Sequence, residues 1–239
     1  MYFDQQEYDI RFEWGLSGVQ TLAPISDIVI IIDVLSFTTC VDIVVGNGGI
    51  VFPYADKAEL LAGYADSVGA VYATRERDAV YSLAPSKLAK IPAGTRLVLP
   101  SPNGSTLSLA TGGVPTMAGC LRNAAAVAAQ ANQIGKSISV IAAGERWKDG
   151  LLRPGIEDLL GAGAIIANLN GRPSPEAETT LAAFRSVESN LPDTLYRCGS
   201  GKELIGRGFE EDVELAVKLN VSTAVPLLAN GAYEESAAP

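Results

Sequence analysis

The sequence predicts an α/β protein with three layers, in which helices cover both faces of a mostly parallel or mixed sheet. At least six short runs rich in β-branched residues alternate with helix-like runs. Apolar residues make up 48% of the chain and charged residues 19%, which is typical of a globular protein. Since no change in composition marks a linker, we expect residues 1–239 to form one domain.

The predicted strands are short apolar runs bounded by turn residues. The run DIVIIIDVL at residues 27–35 is continuous, as expected for a strand buried on both faces. A second such run ends in Ala142-Ala143-Gly144. The predicted strands cover residues 12–19, 27–35, 50–54, 70–74, 96–99, 114–120, 138–143 and 223–227. The first and last of these are predicted edge strands, and residues 234–239 a frayed tail.

The predicted helices lie between residues that start or end helices. Asp56 is a predicted cap, Ser174-Pro175 predicts a cap followed by proline in the first turn, and Gly135 ends an alanine-rich run. The predicted helices cover residues 39–45, 56–65, 106 onward, 122–134, 156–169, 175–190 and a stretch ending near 219. Short helical pieces are predicted over residues 191–205, and an irregular segment over 81–92.

The net charge argues against binding to nucleic acid, and the hydropathy argues against a membrane span. A net charge of −9 argues against nucleic acid, which proteins bind largely through lysine and arginine. No run approaches the roughly 18 apolar residues of a membrane span, and the first residues lack a signal-peptide pattern. Three widely spaced cysteines are typical of free thiols in a reducing compartment. We therefore expect a cytoplasmic protein, and its state as a monomer or homo-oligomer is left open.

The chain contains no histidine, which restricts its chemistry more than any other number. Ser-His-Asp and Cys-His catalysis, phosphohistidine and histidine-ligated zinc are excluded. Proton transfer near neutral pH must use carboxylates, lysine, tyrosine or metal-bound water. The run GSGK at residues 199–202 is not a P-loop, because Tyr196 replaces its first glycine and Glu203 its magnesium-binding hydroxyl.

Four acidic residues follow the strand predicted at residues 138–143. These are Glu145, Asp149, Glu157 and Asp158. In an open α/β sheet, ligands bind beyond the carboxyl ends of the strands, so this loop is a candidate site. The alternative is a solvated loop, with Glu157 and Asp158 favoured only by the dipole of the following helix.

Polar residues follow two further strands. Asp33 ends a buried strand, where a carboxylate needs a partner or a metal, and Ser36, Thr38 and Thr39 are candidate helix caps and phosphate donors. The alternative is that Asp33 only caps the next helix. The turn SPNGS at residues 101–105 suits an oxyanion because Gly104 allows close approach, although a plain strand-to-helix turn fits equally.

Arg207 and the basic cluster at residues 75–78 are further candidates for contact with a ligand. Arg207 lies between two glycines and can reach an anion, or it is an exposed turn residue. The cluster RERD at residues 75–78 lies at a strand end, where a solvated turn is the simpler interpretation.

Five motifs occur in one order along the chain. They are DVLSFTT at residues 33–39, SPNGS at 101–105, AGER at 143–146, IED with GAGAI at 156–165, and GRGF with ED at 206–212. Together they resemble the 2-phosphosulfolactate phosphatase (ComB) family, over about residues 28–219. The resemblance implies a magnesium-dependent enzyme that removes phosphate from 2-phospho-3-sulfolactate to give 3-sulfolactate, a step toward coenzyme M. The expected partner is therefore a small anionic phosphomonoester.

The resemblance also implies roles for individual residues. Some of Asp33, Glu145, Glu157 and Asp158 would hold Mg²⁺, which prefers a few carboxylates plus water and substrate oxygens. Phosphate or sulfonate would be bound by Ser101, Asn103, the amides of Gly104 and Ser105, Arg146 and Arg207. The catalytic set would be Asp33, Glu145, Arg146 and Arg207, with either water or a carboxylate such as Asp33 as the nucleophile.

One departure bears on the substrate. The family usually has arginine after Asp-Val-Leu, where this chain has Ser36. A related phosphorylated hydroxy acid is therefore a second candidate substrate. Two other functions stay open: a non-catalytic protein that binds anions or sugar phosphates, and a haloacid-dehalogenase-like phosphatase using Asp33. The latter family has a second aspartate at the position of Leu35.

Overall fold

A computed structural model describes residues 2–74 and 79–236. Its strands are β1 (Ile10–Trp14), β2 (Ile28–Ile32), β3 (Ile50–Tyr54), β4 (Val71–Tyr72), β5 (Arg96–Pro100), β6 (Thr116–Gly119), β7 (Ile138–Ala142), β8 (Glu145–Arg146), β9 (Leu152–Arg153), β10 (Pro226–Ala229) and β11 (Ala232–Glu235). Its helices are α1 (Gly15–Leu22), α2 (Phe37–Gly46), α3 (Leu61–Ser67), α4 (Pro85–Leu88), α5 (Gly104–Leu109), α6 (Ala124–Ile134), α7 (Ile156–Ile166), α8 (Pro175–Val187), α9 (Leu191–Arg197), α10 (Gly199–Gly206) and α11 (Glu210–Ala216).

The main sheet is mixed, as the sequence predicts. Its strand order is β1-β7-β2-β6-β10-β11-β3-β5-β4. The first four strands are parallel to one another, and so are the last three. Between the two parallel groups lies the antiparallel hairpin β10–β11. A separate two-stranded ribbon, β8–β9, projects beyond the end of β7.

Strand β2 is buried on both faces because helices pack on each side of it. Ile28, Ile30 and Ile32 belong to an apolar cluster that includes residues of α6 and α7. Val29 and Ile31 lie in another cluster, with residues of α1 and α5. Alternate residues of a strand point to opposite faces, so the all-apolar run places β2 at the centre of three layers.

The predicted strand over residues 12–19 ends early. β1 stops at Trp14, and Gly15 adopts a φ of +59° before helix α1. Gly18 lies so close to the preceding strand that a Cβ there would come 2.7 Å from the Cβ of Glu13. Strand β1 does lie at the edge of the sheet, as expected.

The predictions for the carboxyl-terminal residues are wrong in two respects. Strand β10 is central, not an edge strand, and Glu234 and Glu235 belong to β11 instead of a frayed tail. Asn230 and Gly231 join the two strands with φ of 52° and 82°. Asn-Gly is the preferred sequence for such a turn, so this hairpin was readable from the sequence. Residues 237–239 lie outside the described part of the chain.

Most predicted helices are present, with shifted ends. The Ser174 hydroxyl caps α8 by accepting a 3.1 Å hydrogen bond from the Ala177 amide. Asp56 caps nothing, because the 3₁₀ turn Ala58–Leu60 precedes α3. The segment predicted as irregular contains α4, and the charge cluster at residues 75–78 lies outside the described residues. Among the described helices, none has the length and apolar character needed to cross a membrane.

Candidate active site

The site lies where the adjacent parallel strands β2 and β7 end. Ile32 and Ala142 are register partners, so Asp33 and the segment Ala143-Gly144-Glu145 leave the sheet side by side. Gly144 adopts a φ of +64°, and a Cβ there would lie 2.9 Å from the carbonyl oxygen of Arg153. The sequence therefore places two acidic residues at one edge of the sheet, as parallel pairing predicts.

The turn after β5 supplies the partners of Asp33. Oδ2 of Asp33 accepts a hydrogen bond of 2.8 Å from the amide of Gly104 and one of 3.5 Å from the hydroxyl of Ser101. Oδ1 accepts a 3.3 Å bond from the amide of Phe37 at the start of α2. Only glycine fits at position 104, since a Cβ would come 2.2 Å from the Phe37 ring. The turn predicted to bind an oxyanion therefore binds the Asp33 carboxylate of the protein itself.

The same turn reaches the second carboxylate. Nδ2 of Asn103 donates a 3.0 Å hydrogen bond to Oε2 of Glu145. One four-residue turn, from Ser101 to Gly104, therefore connects Asp33 on β2 with Glu145 beyond β7. The carboxylate part and the turn part of the predicted site meet in the folded chain.

Burial and neighbouring charges shift the pKa values of Asp33 and Glu145. Burial, together with the charge of Glu145, raises the pKa of Asp33 to about 7, against the opposing effect of the Gly104 and Phe37 amides. Burial also raises the pKa of Glu145, while the Asn103 hydrogen bond and the charge of Arg153 lower it. Because the charge of Glu145 acts on the buried Asp33 carboxylate, a proton or a cation near the pair is favoured.

This pair fits a magnesium ion of the kind that proteins hold with few ligands. Mg²⁺ is commonly bound by one or two carboxylates, with water and substrate phosphate completing its shell. Among residues 2–74 and 79–236, no group of three or more acidic or cysteine side chains is arranged to hold a metal ion. The four carboxylates named from the sequence therefore do not form one cluster.

Asp158 is used by the main chain. Its Oδ1 accepts a 2.8 Å hydrogen bond from the amide of Val34, and its Oδ2 a 2.8 Å bond from that of Gly144. Burial and the charges of Glu157 and Asp33 raise its pKa. Asp158 joins the ends of β2 and β7, so it positions Asp33 and Glu145.

Glu157 belongs to a neighbouring buried network. Its Oε1 accepts a 2.5 Å hydrogen bond from the hydroxyl of Ser200, and its Oε2 a 3.5 Å bond from the thiol of Cys198. Burial raises the pKa of the Cys198 thiol to about 11, so it is protonated near neutral pH. Nη2 of Arg153 donates a 3.0 Å bond to Ser200 Oγ, which links the ribbon β8–β9 to α10.

The hydroxyls of three residues from the predicted phosphate-binding set bond to main-chain groups. The Thr38 hydroxyl donates to the carbonyl oxygen of Asp33 at 2.9 Å, and that of Thr39 to Val34 at 2.7 Å. The Ser105 hydroxyl donates to the carbonyl of Leu99 at 2.9 Å. These buried hydroxyls stabilise the turns that carry the site. The side chain of Ser36, next to the cis peptide bond Leu35–Ser36, has no hydrogen-bond partner within the described residues.

The two predicted arginines do not contact the carboxylates of the site in the described part of the chain. Arg146 is exposed and donates to the carbonyl of Gly150 at 3.1 Å. Arg207 is exposed and pairs with Glu203 at 3.3 Å. The alternating side-chain direction along β8 explains the first case, because Arg146 points away from the face that carries Glu145.

Comparison with known proteins identifies the family. The family model described as 2-phosphosulpholactate phosphatase matches residues 18–231. The chain belongs to this family. The matched stretch contains every residue described around Asp33 and Glu145, including the turn after β5 and the start of α10.

Two relatives within the family carry the same name. The 2-phosphosulfolactate phosphatase of Methanothermobacter thermautotrophicus is 35% identical over 141 residues, 59% of either chain. A probable 2-phosphosulfolactate phosphatase of Carboxydothermus hydrogenoformans is 33% identical over 136 residues, 56% of this chain and 55% of its own. The similarity thus spans somewhat more than half the length of these relatives.

Arg153 and Ser200 are the residues of this site that sequence reasoning missed. Arg153 stands four residues before Glu157, and Ser200 lies in the GSGK run that fails as a P-loop. Both lie outside the five motifs that resemble the family. The register of β8 against β9 pairs Glu145 with Arg153 and so places this arginine at the site. Strand register is a property of the folded chain, so the sequence alone did not indicate Arg153.

Proposed function

We propose that this protein is a magnesium-dependent phosphatase that hydrolyses 2-phospho-3-sulfolactate to 3-sulfolactate and phosphate. The observation that carries the proposal is the turn from Ser101 to Gly104, which binds Asp33 and Glu145 at the ends of two neighbouring strands. The family match supports the reaction class. A place in coenzyme M biosynthesis, in the cytoplasm, follows from this substrate and belongs to the same proposal.

Asp33 and Glu145 are the residues that would hold Mg²⁺. When bound, the ion neutralises phosphate charge and lowers the pKa of a bound water molecule. Asn103 fixes the Glu145 carboxylate, and the amides of Gly104 and Phe37 fix that of Asp33. Because these partners are main-chain groups or a short side chain, the two carboxylates are preorganised before substrate binds.

The remaining polar groups at this edge bind and orient the substrate. Ser36, whose hydroxyl has no hydrogen-bond partner among the described residues, belongs to the segment between β2 and α2 that also carries Asp33. Both oxygens of Asp33 already accept hydrogen bonds, which favours water over Asp33 as the nucleophile.

The test is phosphate release from 2-phospho-3-sulfolactate, 2-phospholactate and an aryl phosphate, each with Mg²⁺ and with a chelator. We expect release with Mg²⁺ and none with chelator. Turnover that is absent on every phosphomonoester would contradict the proposal and favour an anion-binding protein. Rapid acid quench with labelled substrate tests the nucleophile, since label retained on the protein would indicate a phosphorylated Asp33.

A further inference from the structure

Arg153 is a cation at the border of the carboxylate pair. It is the register partner of Glu145 in the ribbon β8–β9, so the two side chains lie on one face. Among the described residues, no carboxylate lies within salt-bridge distance of its guanidinium. The side chain is half-buried, so an anion from solvent can reach it. A positive charge that forms no salt bridge with a carboxylate of the described residues is notable in a chain of net charge −9.

The surroundings of Arg153 fix its orientation. Nη2 donates to Ser200 Oγ at 3.0 Å, and the Ser200 hydroxyl donates to Glu157. The ring centroid of Trp147 lies 5.8 Å from the guanidinium carbon. A guanidinium has five N–H donors, and only the bond to Ser200 uses one among the described residues. The other N–H donors of this guanidinium keep a fixed planar arrangement, which suits an oxyanion.

We propose that Arg153 binds a second anionic group of the substrate, its carboxylate or its sulfonate, and thereby selects phosphomonoesters that carry an adjacent acid. This inference rests on the proposed phosphatase function. Asp33 and Glu145 repel an anion, so they serve the phosphate only through a cation. Arg153 needs no such mediator, because it offers its own charge and donors on the same face. Ser200 and Glu157 act as positioning residues for the guanidinium.

The test compares selectivity across three substrates. 2-Phospho-3-sulfolactate carries a carboxylate and a sulfonate, 2-phospholactate only the carboxylate, and an aryl phosphate neither. For Arg153→Ala we expect the ratio of kcat/KM for phosphosulfolactate to that for the aryl phosphate to fall by about 10-fold or more, the loss expected for one charge-assisted contact. The change should appear mainly in KM. If kcat/KM for 2-phospholactate falls as well, Arg153 binds the carboxylate. If it does not fall, Arg153 binds the sulfonate.

Matched variants separate this role from a structural one. Lys148→Ala removes an exposed positive charge from the same ribbon and should leave the ratio unchanged. Arg153→Lys keeps the positive charge but lacks the planar guanidinium donors, so it should retain part of the selectivity. It replaces Arg153→Ala in the test if the alanine variant does not fold. Ser200→Ala should lower the same ratio by a smaller factor. Calorimetry with the product 3-sulfolactate should show weaker binding to Arg153→Ala than to wild type.

Two results would overturn the inference while leaving the phosphatase proposal standing. One is an equal fall in kcat/KM for phosphosulfolactate and for the aryl phosphate in both Arg153 variants. The other is loss of all turnover in Ser200→Ala, which would place Ser200 in the chemistry itself. A wild-type protein that hydrolyses none of the three substrates would instead contradict the proposed function.

Discussion

The main-chain amide of Gly104 donates a 2.8 Å hydrogen bond to the carboxylate of Asp33, although the two residues are 71 positions apart. This bond joins the loop after β2 to the loop after β5. The adjacent Asn103 extends the connection to Glu145. One turn thereby determines the distance between the two carboxylates on which the proposed function depends.

Gly104→Ala should disrupt this turn. A Cβ would lie 2.2 Å from the Phe37 ring and 2.7 Å from Asp33 Oδ2, so the helix or the ring must move. We expect a loss of about 1–3 kcal/mol in the free energy of unfolding, as for other overpacked sites, together with loss of turnover. Denaturant unfolding measures the first quantity. Gly63→Ala is the matched control, because nothing lies within 4 Å of its Cβ in helix α3, and it should not destabilise.

Asp158→Asn should separate the ends of β2 and β7. One side-chain oxygen would be replaced by an NH₂ group facing the amide of Val34 or Gly144, and a buried donor would lose its acceptor. The expected cost is about 1–3 kcal/mol of unfolding free energy, with lower kcat. The exposed Asp66→Asn is the control. Unchanged stability in Asp158→Asn would mean that these two bonds do not hold the strand ends.

Glu145→Gln should remove activity without loss of stability. Burial raises the pKa of Glu145, so ionising this side chain is costly in the folded protein, and the neutral amide avoids that cost. We expect turnover to fall by about 100-fold or more, the scale of losing a preorganised charged group. Glu59→Gln, at an exposed position, should behave as wild type in both assays. A cooperative thermal transition checks the fold.

Mg²⁺ should stabilise the protein through Asp33 and Glu145. A ligand that binds only the folded state raises the unfolding temperature as its concentration rises. We expect this shift for wild type and its loss in the double variant Asp33→Asn, Glu145→Gln. Glu157→Gln should retain the shift, since Glu157 is bonded to Ser200 and Cys198. An equal shift in the double variant would place the metal elsewhere.

The sequence determined the fold class and the main acidic residues of the site. Short runs rich in β-branched residues that alternate with helix-like runs are typical of strands buried between two layers of helix, so β2 and β7 and their flanking helices were predictable from local pattern. Asp33 and Glu145 were predictable because each directly follows such a run, and parallel strands end at one edge. The Asn230-Gly231 hairpin was equally readable, from its turn sequence.

The tertiary structure alone decided which polar groups are free to act. Asp158, Thr38, Thr39 and Ser105 have the chemistry of ligands, yet each is bonded to main-chain groups from the turns that carry the site. The register of β8 against β9 places Arg153 opposite Glu145 and Arg146 opposite Leu152. The bonds from Asn103 to Glu145 and from Val34 to Asp158 join residues 42 and 124 positions apart, so they depend on the packing of whole elements, which no local pattern contains.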